Sequence, residues 1–211
     1  TPFAKYSGMG VAVPMAQKTS ARYVHNFQWF AGPKVKPDVI CKMDADAGLI
    51  KAAKSLGWFP EASMANRWPH NATHERWHVT LKSVVRACNL QAGMPEIAWD
   101  LALPYAATAL AIRQPAPILP SEKDGDGNVL KEFESKLGLT CWECHHDGAP
   151  FEGPNKLFGS LCFYHTKTGH PMFGQNKPGI FLGWRLDSGL RYRNVLRIGD
   201  YEKFRSGDFS F

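Results

Sequence analysis

Long hydrophobic runs are missing from this chain of 211 residues. Its longest apolar stretch, residues 105–112 (YAATALAI), falls far short of the roughly 20 residues that a helix needs to cross a bilayer. No basic-then-apolar leader opens the sequence. A membrane-embedded protein is therefore not expected, and no membrane partner. Cysteine is present but odd in number, at five: Cys41, Cys88, Cys141, Cys144 and Cys162. An odd count without a secretory signal argues against a disulfide scaffold and for a reducing intracellular setting, cytoplasmic or nuclear. Also missing are an internal repeat and the Gly-x-Ser-x-Gly elbow of an α/β-hydrolase. Asp124-Gly125-Asp126-Gly127-Asn128 begins like a calcium loop, but Val129 and Ser135 occupy its sixth and twelfth positions, so it reads as a turn.

Hydrophobic residues make up 44% of the chain, enough for one large or two small domains with a real core. The net charge of +6 is unevenly spread. Residues 1–113 hold 13 Lys/Arg against 7 Asp/Glu, residues 114–156 hold 4 against 8, and residues 157–211 hold 8 against 4. Two basic blocks thus flank an acidic segment rich in Pro and Gly, which reads as a connector. Basic blocks favour a polyanion such as DNA, because phosphate contacts release counterions.

The periodicity of the first block alternates strand and helix. Residues 10–15 form a short apolar run, expected as a strand. Residues 19–30 carry Tyr23, Phe27 and Phe30 at helical spacing behind a Thr19 or Ser20 cap. Residues 38–43 (DVICKM) favour a strand, and residues 47–56 a helix stopped by Gly57. A long helix is expected over residues 72–89, with Trp77, Leu81, Val84 and Cys88 as its apolar seam. Another follows over residues 95–113, with Pro104 inside it. In the last block, residues 161–165, 179–186 and 191–198 read as strands, the last two joined by the turn Asp187-Ser188-Gly189.

Phosphodiester transfer assisted by divalent metal calls for clustered carboxylates, typically an Asp at a strand end and a Glu on a neighbouring helix. Asp44 ends the VICKM run, and Glu75 stands in the first turn of the long helix. Taken alone, these are equally an acidic turn residue and a first-turn Glu favoured by the helix dipole. Lys82, two turns beyond Glu75, is a candidate phosphate contact, as are Arg76 and Arg86. Arg191, Arg193 and Arg197 lie on or beside the last expected strand, more simply as a solvated face. Cys141-x2-Cys144 and, 17 residues on, Cys162-x2-His165 have the spacing of a tetrahedral Cys₃His zinc site. Against that, Cys162 and His165 on one strand would face opposite sides.

The segment Trp68 to Leu81 (WPHNATHERWHVTL) resembles the region around the catalytic Glu of copia-type retrotransposon integrases, with Pro69, Asn71, Glu75, Arg76, Thr80 and Leu81 in matching positions. VICKMD resembles the strand that delivers that family's second catalytic Asp, here Asp44. AWDLALPYAATALAIRQPAP resembles the following helix, and FGSLCFYH with KPGIFLGWRLDSGLRYRNV resembles the SH3-like barrel that trails the integrase core. The resemblance implies an α/β fold: a partial RNase H-like core over residues 1–113, the connector 114–156, and a small SH3-like β-barrel over 157–211. It implies Mg²⁺ (or Mn²⁺) held by Asp44 and Glu75, DNA strand transfer as the activity, and DNA and a second copy of the chain as partners. Three features depart from the family. The gap between Asp44 and Glu75, 30 residues, is somewhat short. Asp44-Ala45-Asp46 replaces the usual Asp-Asn-Gly, so Asp46 is an alternative ligand. The first catalytic Asp would lie on a strand before Tyr6, and the chain is accordingly expected to be a piece of a longer polypeptide. The alternative expectation is a non-catalytic DNA-binding or assembly module, with zinc as a staple.

Overall fold

The computed structural model describes residues 2–33, 35–63, 72–166 and 175–210. It is a mixed α/β structure whose strands form a parallel pair and a three-stranded antiparallel sheet.

Among the described residues, six helices and five strands follow in the order α1 (Ser20–Ala31), β1 (Ile40–Met43), α2 (Ala47–Ser55), β2 (Phe59–Ala62), α3 (Ala72–Ala92), α4 (Trp99–Arg113), α5 (Cys141–His145), β3 (Leu161–His165), β4 (Asn176–Asp187), β5 (Arg191–Asp200) and α6 (Tyr201–Arg205). Short 3₁₀ turns at Glu96–Ala98, Pro120–Glu122 and Lys131–Lys136 connect some of them.

The caps explain several boundaries. Thr19 stands at the N-cap of α1 and its side chain accepts from the Arg22 amide. Asp46 caps α2, its Oδ1 accepting from the Leu49 amide at 2.8 Å. α2 ends at Gly57, whose φ of 73° lies in the left-handed region that only glycine enters without penalty. The chain then returns as β2, which pairs with β1 in parallel from Ile40↔Phe59 to Met43↔Ala62. A parallel pair needs a crossover, and α2 supplies it. Tyr23 and Phe27 of α1, Met43 of β1 and Ala52 and Ala53 of α2 bury one face of this unit together with Trp58.

Residues 10–15 are not a strand. Phe3↔Gly10 is an isolated bridge, and Met9, Val11 and Ala12 are buried in extended backbone. The apolar run is a core-filling segment with no partner strand among the described residues, and Pro14 cannot donate to one. Gly10 is tied to that packing, since a Cβ there would collide with the Trp77 ring of α3.

α3 buries Trp77, Leu81, Val85 and Asn89, a strict four-residue repeat, while Val84 and Cys88 pack from the flank. Against it lies α4, nearly all of whose central residues are buried. Tyr105 of α4 stacks on Trp184 of β4 with ring centroids 5.1 Å apart and planes 11° from parallel. Such a pair contributes about 0.5–1.5 kcal/mol beyond area burial. The Tyr105 hydroxyl donates to the Lys156 carbonyl at 3.0 Å. Gly183, at φ 125°, brings the β4 backbone against Tyr105.

β3, β4 and β5 form an antiparallel meander, β4 central, with register shifts between Phe181 and Gly183 and between Trp184 and Leu186. The turn after Asp187 is as expected from sequence. Among the described residues the sheet does not close into a barrel. Packing runs across all three expected segments. Trp77 and Leu81, the α4 face, and Phe158, Phe181, Leu182 and Trp184 share one cluster. The acidic segment 114–156 contributes buried Cys141 and Trp142 to a second cluster with Met9, Val11, Leu186 and Leu190.

Candidate functional site

Asp44 follows the last residue of β1 and is exposed at the C-terminal tip of the parallel pair. Its carbonyl accepts from the Asp46 amide at 2.7 Å, a tight turn that hands the chain to α2. Asp46 itself is committed to the α2 cap, so its Oδ1 serves a backbone amide. Of the two acids left open by the sequence, Asp44 is the one whose carboxylate is not used as a helix cap.

Glu75 lies exposed in the first turn of α3. One turn further along the helix is His78, and Asp44 acts on it. Burial first, then the His74 ring and Lys82, lower the His78 pKa to about 4, while the Asp44 charge opposes them. The charge at the β1 tip is thus felt at His78, in the second turn of α3 and one turn beyond Glu75. Trp68–Asn71, which carries part of the integrase-like motif, lies outside the described residues.

Two residues at this site went unremarked in the sequence. His74 and His78 sit four apart on α3, with Nε2 atoms 3.1 Å from each other and ring centroids at 4.3 Å. Phe3 lies beside His74 and Trp77, with centroids 6.1 and 5.6 Å away. The signal was there, because an i, i+4 pair of histidines in a helix shares a face.

The expected DNA contacts are all exposed on α3. Lys82 lies close enough to affect His78, Arg76 follows Glu75, and Arg86 reaches the Ser83 hydroxyl at 3.4 Å. On β5, Arg193 pairs with Asp187 at 3.4 Å, and Arg197 is half-buried rather than solvated.

The four residues with zinc-like spacing do not gather. Cys141 and Cys144 lie on α5, where Cys141 donates its thiol to the Pro115 carbonyl at 3.4 Å. Cys162 lies on β3 and donates to the Gly179 carbonyl at 3.3 Å, while His165 ends that strand exposed. Burial, with the neighbouring Cys144 thiol, pushes the Cys141 thiol up to about 11. Among the described residues no group of three or more His, Cys, Asp or Glu is placed to hold a metal ion.

Exposed carboxylates such as Asp44 and Glu75 are the donor type a hard cation takes, Mg²⁺ being commonly bound by one or two of them with water completing its shell. No helix among the described residues is long and apolar enough to cross a membrane. No protein-family model matches the chain, and no curated protein matches it.

Proposed function

We propose that this chain is a region of a copia-type retrotransposon integrase that joins element DNA to target DNA, with Asp44 and Glu75 as two of its metal-holding carboxylates. The observation that carries the reading is the Coulombic influence of Asp44, at a strand tip, on His78, one turn beyond Glu75 on α3. The parallel β1–α2–β2 unit supports a partial RNase H-like core, and the β3–β4–β5 meander supports an SH3-like domain after it.

In the proposed reaction a 3′-hydroxyl of one DNA attacks a phosphodiester of another. A new P–O bond forms as the target's own P–O bond breaks, so the number of phosphodiesters is conserved. A bound divalent ion would supply Lewis-acid stabilisation of the phosphoryl oxygens and a more acidic attacking hydroxyl. The carboxylates of Asp44 and Glu75 would hold it, and the Lys82 ammonium, two turns from Glu75, would take a flanking phosphate. DNA and a second copy of the chain are the proposed partners.

Mn²⁺ titration followed by electron paramagnetic resonance tests the carboxylate pair. Binding that weakens at least tenfold in both Asp44→Asn and Glu75→Gln supports it. Binding that is indifferent to both substitutions removes the catalytic reading.

A further inference from the structure

A groove of about 770 Å³ opens on another part of the molecule. One wall is the segment of residues 11–17, the second is α1, the floor comes from Pro104, Ala107 and Thr108 of α4, and β4 with β5 closes the far side. Its charge is of one sign. Arg22 and His25 reach it from α1, Arg185 from β4 and Arg197 from β5, and no acidic residue lines it. The acid whose charge reaches Arg197 is Asp100, which is not part of the lining. Arg22 and Arg185 are exposed and form no salt bridge among the described residues.

Aromatic and amide groups complete the lining. Trp29 is half-buried at the groove, its indole N–H donating to the Leu186 carbonyl at 3.1 Å, which fixes the ring. Gln17, exposed at the rim, offers both a donor and an acceptor. The volume falls in the range of small-ligand clefts, roughly 300–1,000 Å³. A duplex keeps its bases inside a cylinder about 20 Å wide and cannot lay one on an apolar floor, whereas an unpaired strand can place a base there and its phosphates on surrounding cations.

From this arrangement we infer that the groove binds single-stranded DNA, one unpaired base resting on the Trp29 and α4 surface and the flanking phosphates meeting Arg22, Arg185 and Arg197. The choice of DNA rests on the function proposed above, but the groove uses neither Asp44 nor Glu75.

The test is fluorescence anisotropy of the whole chain with a labelled oligothymidylate of about 12 nucleotides, in EDTA, beside a duplex of equal length. The single strand is expected to bind more tightly than the duplex and to quench tryptophan emission, and Trp29→Phe should reduce the quench. Arg22→Ala and Arg185→Ala should each weaken binding about tenfold and lower the slope of log K against log salt by about 0.7 per lost contact. Arg22→Lys and Arg185→Lys should retain most of the salt dependence, and Lys123→Ala, on the remote acidic segment, should change nothing. Circular dichroism verifies that each variant is folded. An unchanged single-strand affinity in the Arg22→Ala/Arg185→Ala double variant overturns the inference, as does an equal loss for duplex and single strand without quenching. Because EDTA removes any metal, failure here leaves the Mn²⁺ result at Asp44 and Glu75 standing. Loss of that Mn²⁺ result likewise leaves the groove standing.

Discussion

Lys136 and Glu122 form an ion pair closed to solvent. The ammonium lies 2.9 Å from one carboxylate oxygen and 3.0 Å from the other, with both side chains only 2–3% exposed. The Leu119 amide donates to the same carboxylate at 2.7 Å, and the Lys136 ammonium sits 4.1 Å above the Tyr6 ring. A pair so placed draws the acidic segment onto the N-terminal residues, and breaking it leaves one charge buried without its counter-ion.

Glu122→Gln is therefore expected to destabilise the fold by about 3–5 kcal/mol, the usual cost of removing one partner of a buried pair. Burial alone would raise the Glu122 pKa, but the bonds from Lys136 and Leu119 and the Lys136 charge outweigh it and leave it below 4.5. A depressed carboxyl stabilises the folded state above its unfolded pKa, and that contribution is lost as pH falls through the lower folded value. Urea denaturation at neutral pH and near pH 3 checks both statements: the wild type should lose stability on acidification, and the variant should lose less.

Asp44 and Asp46 are separable by experiment. Asp46→Ala removes the α2 cap and should cost about 1 kcal/mol in thermal or chemical unfolding, with Mn²⁺ binding intact. Asp44→Asn should do the reverse. Exchanged phenotypes would mean that Asp46 is the ligand.

The Asp44 charge has its own readout in the His78 ring. Its pKa, about 4, is held up by the Asp44 charge and pushed down by Lys82. Asp44→Asn should therefore lower it further, and Lys82→Ala should raise it, in a histidine NMR titration. No response to Asp44→Asn would place the strand tip too far from the helix for a shared cation.

Acid sensitivity is also expected from His145. Burial, then the neighbouring His146, lower its pKa to about 4, and its Nδ1 lies 3.2 Å from the buried Ser7 hydroxyl. The unfolded chain binds a proton near 6.5, before the folded chain does, so stability falls as pH drops from about 6.5 towards 4. His145→Phe should flatten that part of the stability-pH curve; a curve identical to wild type would show that His145 does not contribute.

Most elements were legible because local chemistry decides them. Thr19 and Gly57 punctuate their helices in any context, and the apolar alternation of residues 161–165 gave β3 at its observed bounds. The 10–15 run was misread because an apolar segment gives the same sequence signal whether or not another strand is present to pair with it. The carboxylates of Asp44 and Glu75 were singled out from the order of their motifs. The histidine pair and the cationic groove were not, since Arg22, Arg185 and Arg197 are scattered over 175 positions and no local pattern links them.

Sequence by itself set where the four longer helices α1–α4 lie and where charge of each sign accumulates, since these depend on neighbours a few residues apart. Tertiary structure alone decided that the Asp44 charge reaches His78 on α3, that Cys141, Cys144, Cys162 and His165 form no metal-holding group among the described residues, and that residues 114–156 join the core. Those outcomes depend on which apolar faces bury one another, and burial is a relation between distant segments.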